Sequence, residues 1–179
     1  LYAVPLSGGA PAPVLATGAS DAEISPDGTR LVYVRSGTNW WRRGYEGSAR
    51  ARLWLFTPEN GTLTEALAAW ATAESVEEAP AAGEQAATNP GLHAAAALLP
   101  RGEHRRLTPE AEPGPERDPH WLPDGKRIVC LAESSGVANL RIVSVEDAGR
   151  APLTRFREGR LRLPAIARNG SLAAFEYED

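Results

Sequence analysis

The sequence predicts an all-β chain built from four-stranded antiparallel units, interrupted by one Ala/Glu-rich insertion. Three observations predict it. The turn Ser25-Pro26-Asp27-Gly28 returns as Leu122-Pro123-Asp124-Gly125. The residues flanking the two turns match. A second kind of hairpin recurs between them.

The turn has its own chemistry. Proline fixes φ near −65° at the second position, Asp or Asn suits the third, and Gly accepts the positive φ at the close. With the two turns superposed, Asp21 falls on Asp118, Ile24 on Trp121, and Leu31-Val32-Tyr33-Val34 on Ile128-Val129-Cys130-Leu131. A third copy lies 45 residues beyond the second, with Ile166-Ala167-Arg168-Asn169-Gly170 as the turn and Ala173-Ala174-Phe175 as the apolar run. Each copy reads as strand, tight turn, strand, with β-branched and aromatic residues on its flanks.

The second hairpin joins Leu1-Tyr2-Ala3-Val4 to Val14-Leu15-Ala16-Thr17 through Gly8-Gly9. It returns as Leu140-Arg141-Ile142-Val143, which leads through Asp147-Ala148-Gly149 to Pro152-Leu153-Thr154. Leu53-Trp54-Leu55-Phe56 leads through Asn60-Gly61, and Arg105-Arg106-Leu107-Thr108 reads as its return strand. The unit is therefore four antiparallel strands in roughly 45 residues, the period and content of a β-propeller blade. The predicted organisation is the outer half of a blade at 1–17, a blade at 18–61 plus 103–110, a blade at 111–160, and the inner half of another at 161–179. That amounts to about three blades, where known propellers close with four or more. The expectation is a partial propeller, a fragment of a longer one.

Residues 62–102 interrupt the repeat. The two strong turns stand 97 residues apart, about twice the blade period. The segment is either an insertion in the outer hairpin or a degenerate blade. Thr62 and Glu65 form a capping box, and Leu63, Leu67, Trp70 and Ala73 recur at helical spacing. A helix over about 64–78 is expected, followed by a flexible Ala/Pro/Gly/Gln stretch over about 79–91. As an insertion, it projects from the face that carries the Pro-Asp-Gly turns.

Composition narrows the function classes. The formal net charge of −4 argues against nucleic acid as a partner. No run approaches the roughly 18 apolar residues that span a bilayer, so no membrane is expected either. A single cysteine excludes an internal disulfide and a multi-cysteine zinc site. His93, His104 and His120 have no metal-ligand spacing with one another or with a carboxylate cluster, and structural or solvated roles are expected for all three. Cys130 occupies the slot held by Tyr33 and Phe175, which predicts a buried, inert thiol. No Gly-X-Ser-X-Gly elbow and no phosphate loop is present, so no catalytic residue, cofactor or metal is assigned.

One stretch, residues 40–52, combines two tryptophans, a tyrosine and four arginines. Trp40, Trp41, Arg42, Arg43, Tyr45 and Arg50 are the candidate peptide-binding residues. Cation–π contact, stacking and carboxylate pairing would supply the affinity. The competing role for the same residues is a long connection packed on the next blade, with Arg stems and Trp rings as filler.

The strand–Ser-Pro-Asp-Gly–strand motif, followed by a Leu-Trp-Leu strand and a Leu-Thr outer strand, resembles the propeller repeats of TolB and of the tricorn protease. The run Trp40-Trp41-Arg42-Arg43-Gly44-Tyr45-Glu46-Gly47 continuing to Leu53-Trp54 is similar to a stretch of tricorn-like propellers, with Glu46 where that family carries Arg. Asp118-Pro119-His120-Trp121 and Phe156-Arg157-Glu158-Gly159 resemble the family's inter-blade connections. The resemblance implies a substrate-gating, peptide-binding propeller region of a tricorn-like serine peptidase. In that family the peptidase chemistry sits in a separate C-terminal region, so the resemblance assigns none to these residues. A non-enzymatic TolB-like interaction propeller, or the propeller of a tricorn-related amidohydrolase, is the alternative. The implied partners are peptides or a protein, together with the remainder of the same chain (further blades and a peptidase domain). The implied parent is a homo-oligomer in the cytoplasm, with the periplasm as the alternative.

Overall fold

A computed structural model describes residues 1–4, 6, 8, 11–14, 18–35, 45, 47–72 and 101–179. The strands run in chain order as β1 (Tyr2–Ala3), β2 (Ala12–Pro13), β3 (Ala19–Ile24), β4 (Leu31–Arg35) and β5 (Arg52–Pro58). Helix α1 (Leu63–Thr72) follows, then β6 (Gly102–Arg106), β7 (Glu116–Trp121), β8 (Arg127–Ser134), β9 (Val137–Ser144), β10 (Arg150–Pro152), β11 (Arg160–Ile166) and β12 (Ala173–Glu178). Two four-stranded antiparallel sheets form, ordered β3-β4-β5-β6 and β7-β8-β9-β10, flanked by the pairs β1-β2 and β11-β12.

The three Pro-Asp-Gly-type turns close with one set of bonds. Ser25 N donates to Arg30 O, Leu122 N to Arg127 O and Ala167 N to Leu172 O, all at 2.8–2.9 Å. The glycine N–H then donates back across each turn, from Gly28, Gly125 and Gly170, whose φ values are 72°, 62° and 70°. In each copy the Asp or Asn side chain also caps a backbone N–H two residues on: Asp27 to Thr29, Asp124 to Lys126, Asn169 to Ser171. The Asp27 carboxyl is held down at about 2, chiefly by the Ser25 hydroxyl and then by Thr29.

The outer hairpins also share a register. Tyr2 pairs with Pro13 and Ala3 with Ala12, as Arg141 pairs with Pro152 and Ile142 with Ala151. Past the end of each fourth strand, a Val or Leu N–H bonds back to a leucine carbonyl on the third: Val14 to Leu1, Leu107 to Leu53, Leu153 to Leu140. In the two full sheets the next residue is a threonine whose hydroxyl accepts the N–H of that same leucine, Thr108 from Leu53 and Thr154 from Leu140.

The sheets stack face to face in chain order. Val32, Val34, Leu53, Leu55 and Leu107 of the first full sheet share one buried cluster with Trp121, Ile128, Cys130, Val143 and Val145 of the second. The other face of the first sheet, around Leu31, Tyr33 and Phe56, is covered by Leu63 of α1 and by Leu1. The other face of the second sheet packs Leu122, Val129, Leu131 and Leu140 against Leu161 of β11. Alternation along each strand produces both faces, because successive side chains point to opposite sides.

Direct pairing of Arg52–Pro58 with Gly102–Arg106 makes residues 59–101 the link between adjacent strands of one sheet. The link opens with the expected capping box. Glu65 N donates to Thr62 Oγ1 at 3.1 Å, and Thr62 N donates to Glu65 Oε2 at 3.0 Å. The helix begins one residue before the expected 64. Its expected second half and the stretch over 79–91 lie outside the described residues. Thr64 binds Gly28 O through both its N–H and its hydroxyl, so α1 sits on the Pro-Asp-Gly face.

Candidate functional site

Of the six candidate peptide-binding residues, Trp40, Trp41, Arg42 and Arg43 lie outside the described residues. Tyr45 is half-buried. Its phenol lies where a Cβ on Gly47 would be, so a larger residue there would make the phenol shift. Arg50 donates through Nη1 to the backbone carbonyls of Glu112 (2.9 Å) and Pro113 (2.7 Å). Arg52 adds a bond to Gly114 O at 2.9 Å. These arginines tie the run into β5 to the connection between β6 and β7, which is the packing role weighed for this segment.

The histidines divide. His93 lies outside the described residues. His104 Nδ1 is 3.0 Å from Tyr33 Oη, and its ring lies 4.8 Å from that of Phe56. Burial holds its pKa below the ordinary value. Cys130 is fully buried, and burial pushes its thiol well up, with Glu116 adding to the effect. A thiol kept protonated in this way is a poor nucleophile.

His120 takes part in a junction whose side-chain bonds the sequence did not reveal. The first strand of each unit carries a bulge, with register shifts at Ser20/Glu23, Arg117/His120 and Arg162/Ala165. At each bulge one residue turns left-handed: Asp21 at φ 46°, Asp118 at 48° and Leu163 at 48°. Asp tolerates this region better than most residues. Strand β7 lies beside β3 on one side and β11 on the other. The bulges therefore re-aim a row of polar side chains across the junction. Glu23 Oε2 accepts the N–H of Trp121 at 2.9 Å and lies 3.4 Å from His120 Nδ1. Trp121 Nε1 donates to Glu23 O at 3.0 Å. The bond to Glu23 raises the His120 pKa, opposed by burial and reinforced by the charges of Glu23 and Asp118 and by a hydrogen bond with the Pro164 backbone. Asp118 is raised too, first by burial and then by the nearby Asp21 charge. The row thus sets a histidine biased toward its cation beside an aspartate whose carboxyl burial makes less acidic. Among the described residues no group of three or more His, Cys, Asp and Glu is arranged to hold a metal ion.

A second missed cluster is structural. Glu116 is fully buried. Its carboxylate accepts from Thr108 Oγ1 at 2.8 Å, Arg141 Nη1 at 3.1 Å, and Arg150 Nε and Nη2 at 3.1 and 3.0 Å. Glu112 Oε1 lies 2.7 Å from Arg141 Nη1. Two carboxylates thus face two guanidiniums, and Arg150 Nη2 also reaches Leu107 O at 2.8 Å. Buried charge persists only with this degree of pairing and hydrogen bonding. Nothing in the run Glu112-Pro113-Gly114-Pro115-Glu116 itself marks these carboxylates as buried; the strands that carry Arg141 and Arg150, and Thr108 from the sheet before, make them so.

No described helix is long and apolar enough to cross a membrane. In comparisons with known proteins, no family model matches the chain, and no curated protein matches it.

Proposed function

We propose that this chain is a run of β-propeller blades of the tricorn type, serving as a peptide-gating and peptide-binding scaffold of a tricorn-like serine peptidase. The observation that carries the reading is the side-by-side placement of three copies of one bulged hairpin, on sheets stacked face to face in chain order. In a propeller the first strand of each blade lines the central channel. Glu23, His120 and the bulge aspartates then face that channel, and the Trp/Arg-rich connection at 36–51 joins the ends of β4 and β5 that lie opposite the Pro-Asp-Gly turns. A peptide is met by charge inside and by aromatic and guanidinium groups at the rim. The chemistry of peptide hydrolysis belongs to a separate region.

Tryptophan fluorescence titration with short unstructured peptides bearing free carboxylates tests this. Saturable quenching is expected, weakened by Trp40→Ala/Trp41→Ala and by Glu23→Gln, with no peptide cleaved. Absence of saturable binding, or cleavage that persists through repurification, would overturn it.

A further inference from the structure

We propose that Asn60 is a site of spontaneous covalent modification, closing on the Gly61 nitrogen to a succinimide that opens to an aspartyl or isoaspartyl residue, and that the fold shields Asn169-Gly170 from the same reaction. These are the two Asn-Gly pairs of the chain. Such pairs are prone to this chemistry because glycine has no side chain to crowd the approach of its nitrogen.

The reaction needs only the chain and water. The glycine nitrogen gives up its proton and attacks Cγ of the asparagine. The N–Cγ bond forms, the Cγ–Nδ2 bond breaks, and ammonia leaves with the proton. Water then adds to one of the two ring carbonyls. Opening at Cγ gives aspartate. Opening at the backbone carbonyl gives isoaspartate, whose main chain runs through Cγ and whose α-carboxylate is free. Two groups must be able to move: the glycine N–H and the asparagine carboxamide.

At the second pair both are held. Gly170 N–H donates to Ala167 O at 2.8 Å. Asn169 Oδ1 accepts from Ser171 N at 3.0 Å and from Ser171 Oγ at 2.7 Å. The turn is clamped behind them, by Ala167 N–H to Leu172 O at 2.9 Å and by the pairing of Ile166 with Ala173. Gly170 also lies against the Pro123 ring, where a Cβ would meet Pro123 Cδ at 2.8 Å.

At the first pair neither is held. Asn60 and Gly61 are exposed, and among the described residues no hydrogen bond engages the Gly61 N–H or the Asn60 carboxamide. A Cβ on Gly61 would meet only Glu65 Oε2, at 3.5 Å. The bonds of the region fall on either side of the pair. Glu59 N–H donates to Arg101 O at 2.8 Å, and Thr62 N–H to Glu65 Oε2 at 3.0 Å. The product therefore forms at the entrance to α1. It sets a new carboxylate ahead of the first turn, where negative charge is favoured. The isoaspartyl form also adds one main-chain carbon between β5 and the capping box.

The test is incubation of the folded chain at mildly alkaline pH, followed by proteolytic mapping with fragmentation that separates aspartyl from isoaspartyl residues. Asn60 is expected to convert about tenfold or more faster than Asn169, where three hydrogen bonds must first break. In concentrated urea the two rates should converge. Ser171→Ala, at an exposed position, removes one of the bonds on Asn169 and should speed its conversion several-fold while Asn60 keeps its rate. Methyl incorporation by an isoaspartyl methyltransferase gives an independent reading, expected to disappear in Asn60→Gln. Equal rates at the two pairs in the folded chain overturn the proposal. So does an Asn169 rate indifferent to Ser171→Ala, or a methylation signal that persists in Asn60→Gln.

Discussion

Leu107 and Leu153 hold the same place in two copies of the same unit, yet one is buried and the other is half in water. Their local bonds agree: each donates its N–H to a leucine carbonyl on the third strand, and each precedes a threonine whose hydroxyl accepts from that leucine. The difference lies in the neighbour. The outer half of the next sheet covers Leu107, and no described residue covers Leu153 to the same extent. Trp121 and Ile24 show the same contrast at the inner strands, with Trp121 buried against the first sheet and Ile24 exposed. A sheet of this kind sets its own register, but its apolar faces are buried only by the sheets beside it. Stability is then spread over interfaces between repeats.

The contrast can be broken most severely at the buried charges around Glu116, whose carboxylate also meets Thr108 at the end of the first full sheet. Glu116→Ala leaves Arg141 and Arg150 buried without their shared carboxylate. A loss of about 3–5 kcal/mol is expected in urea denaturation, enough to unfold much of the population. Loss of under about 1 kcal/mol would mean that water reaches the site.

A smaller effect is expected at the bulges. Leu163 holds a left-handed conformation with its side chain largely in solvent, at the position that Asp21 and Asp118 occupy in the other copies. Leu163→Asn should stabilise the chain by about 1 kcal/mol, because Asn visits that region at little cost. A destabilised variant would show that the leucine is held there by contacts outweighing its backbone strain.

The smallest effect concerns pH. The folded state holds the His120 pKa above its ordinary value of 6.5, chiefly through Glu23. Its contribution is fully present below that ordinary value and is lost as pH rises through the raised one. Both side chains are at least a third exposed, so the effect should stay under about 1 kcal/mol. Denaturation midpoints should fall slightly between mildly acidic and mildly alkaline pH. Glu23→Gln should flatten that slope, and an unchanged slope would assign it to another group.

The sequence made the repeat legible because turn chemistry is local. Pro, Asp and Gly at fixed positions specify the turn wherever it occurs, and Thr62 with Glu65 specifies the helix start. The bulge was half visible, since Asp21 and Asp118 align, but Leu163 in the third copy breaks the pattern that would have given it a reason. Nothing local marks Glu116 as buried, because its partners Arg141 and Arg150 come from later strands of its own sheet and Thr108 from just past the last strand of the sheet before it. Of the proposed peptide site, Arg50 shows that a residue chosen for its charge can instead hold backbone carbonyls of the next connection.

The most direct test compares Leu107→Ala with Leu153→Ala by urea denaturation. Burial by the neighbouring sheet predicts a loss of about 2–5 kcal/mol for Leu107→Ala and of about 1 kcal/mol or less for Leu153→Ala. Equal losses at the two positions would contradict it, and would place the stability of each unit within its own four strands.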